Sequence, residues 1–122
     1  MTKGAALQSF FESFGMTAYP HTSVPSDAIF PFLTYTSFIG GWGDIATVTV
    51  DLWFYTESEA IPNAKVQEIS DRIGLGGVML PCDSGALWLQ RGSPFAQAMK
   101  DEADPTIKRR YINITVEYLT LN

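Results

Sequence analysis

Cysteine and histidine are almost absent from this chain of 122 residues, which contains one of each, Cys82 and His21. A single cysteine cannot form an internal disulfide, so the sequence fits a reducing compartment. Nucleophilic catalysis usually needs a histidine base beside the nucleophile, and a metal site needs three or four clustered ligands. The two residues lie in separate turn-rich segments. We therefore expect a protein that is not an enzyme and has no catalytic residue, metal site or cofactor.

The one acidic cluster that could hold a hard cation is Asp101, Glu102 and Asp104. Its spacing departs from that of a calcium-binding loop, so we interpret it as part of a solvated loop over 101–105.

Basic residues and long apolar runs are also scarce. Eight Lys and Arg face thirteen Asp and Glu, which gives a formal net charge of −5. A protein that grips nucleic acid shows a basic stripe, so we expect no tight nucleic-acid binding. The only basic cluster, Lys108-Arg109-Arg110, is interpreted as a solvated strand start or a salt-bridging rim. No segment predicts a membrane span and the N-terminus does not resemble a signal peptide, so we expect a protein used without export.

The most ordered pattern in the sequence runs from Ile45 to Ile73. Residues 45–55 alternate with a period of two, and β-branched and aromatic residues are frequent, which predicts a strand. The apolar face of this strand comprises Ala46, Val48, Val50, Leu52 and Phe54. The other face carries Thr47, Thr49 and Asp51, and then the aromatic residues Trp53 and Tyr55.

A helix is predicted directly after this strand, over Ile61–Ile73. Val66, Ile69 and Ile73 recur at helical spacing, and Gly74 stands where a helix C-terminal glycine is common. Thr56 and Glu59 have the spacing of a capping box, so we expect their side chains to cap this helix.

The remaining segments complete an α+β domain over residues 1–122, with a mixed, mainly antiparallel sheet on which an N-terminal helix and the central amphipathic helix pack. The Gly40–Asp44 turn should join two antiparallel strands as a hairpin. The predicted segments are a helix over 2–14, a loop or edge strand over 17–26, strands over 28–39, 78–80, 87–90 and 110–121, a break over 91–94 and a helical turn over 95–100.

Four residues are candidates for contacts with another protein. Trp42 lies beside Asp44 in a glycine-rich turn that would not need an apolar tip. Trp53 and Tyr55 lie on the strand face opposite its apolar residues. Two explanations of that face stay open: helices cover both sides of the sheet, or a neighbouring subunit covers part of it.

Taken in order, the segments resemble a known family. The proline-containing loop Tyr19–Pro25, the Pro-Phe-Leu-Thr-Tyr segment Pro31–Tyr35, the Val-x-Val-Asp-Leu-Trp strand Val48–Trp53 and the late strand Lys108–Ile114 follow an N-terminal helix. This arrangement is similar to the small tail-terminator and tail-completion proteins of long-tailed bacteriophages and prophages, the group of the lambda tail terminator. The similarity lies in the order of the motifs and the length of the chain.

The resemblance implies a subunit of a ring, commonly a hexamer. Such a ring caps the tail tube protein, ends tube polymerisation and joins the tail to the head-connector protein, as part of a virion assembled in the cytoplasm of a bacterial host. Alternatives are a head-completion or neck protein of the same particle and, from a different class, a small-ligand binding module or an enzyme with a pocket between sheet and helix.

Overall fold

A computed structural model of the chain describes residues 1–100 and 103–122, with only the backbone of Lys100. Two helices and a six-stranded sheet form an α+β fold, as the sequence predicts. In chain order the elements are α1 (Lys3–Glu12), β1 (Thr17–Pro20), β2 (Phe32–Tyr35), β3 (Ile45–Tyr55), α2 (Ala60–Ile73), β4 (Val78–Cys82), β5 (Gly85–Lys100) and β6 (Ile107–Thr120).

The sheet has the strand order β1-β2-β3-β6-β5-β4, and every neighbouring pair except β1–β2 is antiparallel. Its centre is the long β3–β6 pair, which runs in register from Ile45 opposite Glu117 to Tyr55 opposite Ile107. The predicted pairing of the second strand with β3 is confirmed, although β2 is shorter than the predicted 28–39. Pro31 has no backbone N–H to donate, so the strand begins only after it.

Both helices pack against one face of the sheet. The predicted apolar face of β3 is buried there, with Val48, Val50 and Leu52 at most 1% exposed. Aromatic residues of α1 and of the turn after it form an edge-to-face cluster in the same core, with the ring centroids of Phe10 and Phe14 5.2 Å apart. The fully buried residues from β6 are Ile112, Ile114, Val116 and Tyr118, and those from α2 are Ile69 and Ile73.

The predicted capping box of the central helix is wrong. The Thr56 hydroxyl accepts a hydrogen bond from the Ser58 backbone N–H at 3.1 Å, and the Ser58 hydroxyl accepts one from the Ile61 N–H at 3.3 Å. Glu59 is the N-cap residue, but its side chain makes no cap hydrogen bond. Its carboxylate instead accepts a hydrogen bond from Arg110 on β6. The Glu59 carboxylate therefore forms a tertiary ion pair with Arg110 instead of the local hydrogen bond of a capping box.

The predicted break over 91–94 and helical turn over 95–100 are also wrong, since both segments belong to β5. The register with β6 shifts between Arg91 and Ala96, so a bulge absorbs the intervening residues and pairing resumes afterwards. Asp101 and Glu102, from the predicted acidic loop, lie outside the described residues. Gly74 ends α2 with a positive φ of 74°, as predicted.

Candidate functional site

The sheet face opposite the helices, here called the open face, is left uncovered by both helices. Its centre consists of the outward residues of β3 and β6, which are partly or fully exposed. Both helices lie on the other side, so the explanation in which helices cover both faces is wrong for the described chain. The residues of the open face are Thr47, Thr49, Asp51, Trp53 and Tyr55 of β3, and Arg109, Tyr111, Asn113, Thr115 and Glu117 of β6.

An open groove of about 450 Å³ lies between the open face and the segment 21–31. We call it the aromatic groove, because three of its walls are the rings of Phe30, Phe32 and Trp53. Its lining residues are His21, Val24, Phe30, Phe32, Thr34, Asp51, Trp53 and Ile107.

The walls of the aromatic groove are held by ring contacts. Phe32 and Trp53 are directly opposite each other in the β2–β3 register and stack with centroids 6.2 Å apart and an interplanar angle of 18°. The ring centroid of Phe30 lies 5.2 Å from that of Phe32 and 5.9 Å from that of Tyr55. The segment before β2 is therefore anchored on the same aromatic residues that form the end of β3.

The polar groups in the groove are already engaged. The Trp53 indole N–H donates to the Thr34 hydroxyl at 3.1 Å, and Arg109 Nε donates to Asp51 Oδ1 at 2.7 Å. The Arg109 guanidinium also lies 5.1 Å from the centre of the Trp53 ring, in a cation–π arrangement. His21 Nδ1 lies 3.3 Å from the Tyr35 carbonyl oxygen. The surface that remains for contact is consequently aromatic and aliphatic.

The segment 36–44, here called the tip loop, presents Trp42 to solvent. Trp42 is 73% exposed and has a φ of +34°, in the region that side chains other than glycine seldom adopt. The Gly43 N–H donates to the Tyr118 carbonyl at 2.7 Å and Lys3 Nζ donates to the Gly40 carbonyl at 2.8 Å. Asp44 Oδ2 accepts from the Gly41 N–H at 3.0 Å, so this side chain holds the turn together. The loop is fixed on both sides of an exposed tryptophan.

The structure brings the predicted contact residues together in pairs. Trp53 and Tyr55 lie at one end of β3, beside the aromatic groove, where Trp53 is half-buried and Tyr55 is 63% exposed. Trp42 and Asp44 precede the opposite end of the same strand. The sequence-based prediction missed Phe30 and Phe32, although aromatic residues on both sides of Pro31 were a visible signal.

The basic cluster before the last strand is neutralised by carboxylates. Arg110, which is 4% exposed, donates to Glu59 at 2.5 Å, and Lys108 lies 3.7 Å from the same carboxylate. Arg109 is paired with Asp51. The hydrogen bond from Arg110 holds the pKa of Glu59 below its ordinary value. The salt-bridging interpretation of this cluster is therefore the right one.

Two further kinds of site are absent from the part of the chain that the structure describes. Over residues 1–100 and 103–122, no three His, Cys, Asp or Glu side chains come together in a way that could hold a metal ion. Neither helix in those ranges is long and apolar enough to cross a membrane.

Comparison with known proteins relates this fold to that of a virion component. No protein-family model and no curated protein matches the chain. A chain in the solved structure of the virion of a native gene transfer agent (GTA) particle has a similar fold, with a TM-score of 0.56. The match covers 88% of this chain and 82% of that chain, at 16% sequence identity. The architecture described above is thus shared, over most of its length, with a component of a virion particle.

Proposed function

We propose that this chain is a structural virion protein of the tail-terminator type. In this proposal a ring of subunits caps the tail tube, ends polymerisation of the tube protein and joins the tail to the head connector. The chain would act without catalysis or a cofactor, in a particle assembled in the cytoplasm of a bacterial host.

The observation that carries the proposal is the fold similarity to a chain of the gene transfer agent virion over 88% of this chain. The order of sequence motifs, which resembles the tail-terminator family, supports it independently. A subunit that has to contact several neighbours also needs uncovered surface. The open face and the tip loop offer such surface at different places on one small molecule.

The charges agree with a ring that lets DNA pass. The chain carries a net charge of −5, and Lys108, Arg109 and Arg110 are each paired with a carboxylate. A channel lined by free cations would bind phosphates and slow the DNA.

The decisive experiment adds the purified chain to its cognate tail tube protein during polymerisation. We expect tubes of limited length with an added density at one end in electron micrographs. The tip-loop variant Trp42→Ser is assayed beside the wild type, so that the two chains differ at one exposed residue. Tubes that grow to the same length with and without the wild-type chain would contradict the tail-terminator role.

A neck or head-completion role is the main outcome that could replace this one. It predicts that the chain leaves tube growth unaffected but co-sediments with the head-connector ring. Parallel binding assays against tube ends and connector rings separate the two roles.

The small-ligand alternative is tested at the aromatic groove, which lies on the open face and not between sheet and helix, where the sequence-based alternative placed its pocket. The groove has the volume of a small-ligand site, but Asp51 and Thr34 are engaged by Arg109 and Trp53. A specific pocket for a polar ligand needs polar groups that converge on the ligand. We expect no compound in a metabolite panel to raise the melting temperature, and a clear rise would favour a binding module.

A further inference from the structure

We propose that the tip loop of one copy of this chain docks in the aromatic groove of the next copy, with Trp42 as the inserted side chain. This inference deepens the proposed function. The closure of the contacts into a ring rests on that function, but the contact between two copies can be tested alone.

The tip loop presents apolar side chains to solvent on a fixed backbone. Ile39 is fully exposed and Trp42 is 73% exposed, while backbone hydrogen bonds to β6 fix the loop. Exposing a tryptophan in a left-handed backbone conformation is unfavourable in an isolated subunit. A rigid, preorganised aromatic side chain is the usual anchor of a protein interface, because little entropy is lost when it binds.

The tip loop and the aromatic groove match each other chemically. The groove offers the rings of Phe30, Phe32 and Trp53 as walls, and flat rings pack well against other rings. Its charged pair, Asp51 with Arg109, is neutral as a unit. The only charged residue within 36–44 is Asp44, which bonds within its own turn. Insertion therefore leaves no charge unpaired and brings no like charges together.

The tip loop and the aromatic groove lie far apart on one subunit. The start of β3 at Ile45 adjoins the tip loop, and Trp53 in the groove lies eight residues further along the strand. At about 3.3 Å per residue this is roughly 26 Å, which no side chain can span. One chain cannot place its own tip loop in its own groove, so a tip loop that docks there comes from a second copy. Because the patches differ, the contact is head-to-tail, the type that generates rings.

The two outermost strands of the sheet offer no better route to association. The edge strands β1 and β4 have 4 and 5 residues, and they contain Pro20 and Pro81 respectively. Short, proline-containing edges disfavour pairing with another strand. Copies that each carry a charge of −5 also repel each other, so we expect the apolar contact to strengthen as salt screens this repulsion.

The test uses chemical cross-linking in a Cys82→Ser background. Ile39→Cys places a thiol in the tip loop without removing Trp42, and Val24→Cys places one at the groove. A chain with both cysteines, treated with a short bismaleimide, should give a ladder of covalent multimers. Two single-cysteine chains should not form the ladder alone, but their mixture should give dimers and nothing larger.

Matched variants connect the ladder to the proposed contact. Adding Trp42→Ser to the double-cysteine chain should weaken association at least about 30-fold and abolish the ladder. Adding Leu75→Ser, which changes a fully exposed leucine in another loop, should leave it intact. Absence of the ladder from the double-cysteine chain, or its persistence after Trp42→Ser, overturns the inference.

The result is separable from that of the tube experiment. A wild-type chain that arrests tube growth but gives no ladder would refute the contact and leave the function standing. A ladder from a chain that does not arrest tubes would refute the function and retain the head-to-tail contact.

Discussion

Gly40 shows how one residue positions the tip loop. A Cβ at this position would lie 2.6 Å from Tyr118 Cε2 and 2.8 Å from its Cδ2, closer than real contacts allow. Tyr118 is 1% exposed and its ring is packed in the core. The close approach of the loop to β6 therefore depends on the missing side chain.

Gly40→Ala should for this reason lower the free energy of unfolding by about 1–3 kcal/mol, the usual cost of overpacking. Gly4→Ala is the matched control, since a Cβ on this helical residue would meet nothing within 4 Å. Alanine is the better helix former, so this change should stabilise the chain by up to about 1 kcal/mol. Urea denaturation of both variants measures the difference, and equal effects would refute the proposed close approach.

Glu59 makes stability depend on pH. Its pKa lies below the ordinary value of 4.5, first because of the hydrogen bond from Arg110, so the folded state favours the charged form. A depressed pKa contributes stability that is present above the unfolded value and is lost as the pH falls through the folded one. We expect Glu59→Gln to lower the melting temperature near pH 7 and to have less effect at a pH below the pKa of Glu59. The exposed neighbour Glu57, changed to Gln, is the control and should show neither effect.

At the scale of the elements, strands β3 and β6 and helix α2 could be predicted from the sequence because local periodicity and burial agree there. The alternation over 45–55 reflects one buried and one open face, which is what the structure shows. The long strand β5 could not be predicted in this way. Gly92 and Pro94 look like a break, and only pairing with β6 on the other side of the bulge keeps the strand continuous.

The candidate site was partly predictable for the same reason. Trp53 and Tyr55 violate the pattern of their strand face, and Trp42 is out of place in a glycine-rich turn, so all three stand out in the sequence. The groove depends on the segment 21–31 folding back over the open face, with Phe30 against Tyr55. That is a tertiary contact with no periodic signal.

The two faces of β3 should respond differently to truncation. Leu52 is fully buried, so Leu52→Ala should reduce the free energy of unfolding by about 2–5 kcal/mol. Thr47, on the open face and exposed, should tolerate alanine to within about 0.5 kcal/mol. Thermal and urea unfolding would show this contrast, and a comparable loss for both variants would mean that the open face is covered within the subunit.

At the scale of the whole molecule, charge pairing decides whether the basic residues are available to bind phosphate. Three consecutive basic residues, 108–110, would be a plausible phosphate grip if they were free. Glu59 lies against Lys108 and Arg110, and Asp51 holds Arg109. The basic residues are adjacent in the sequence, and the fold brings the distant carboxylates of Asp51 and Glu59 against them.

Wild-type chain should accordingly show no retention on double-stranded DNA at physiological salt. The double variant Asp51→Asn and Glu59→Gln changes the net charge from −5 to −3 and removes the carboxylates that pair with Lys108 and Arg109, while Arg110 stays buried at 4% exposure. We expect measurable binding at low salt whose logarithmic salt dependence has a slope no steeper than about −1.8, since each of the two phosphate contacts contributes roughly −0.9. Circular dichroism would verify that the variant is folded. Tight binding by the wild type would contradict a passive channel, because the acidic pairs would then not shield the basic residues from phosphate.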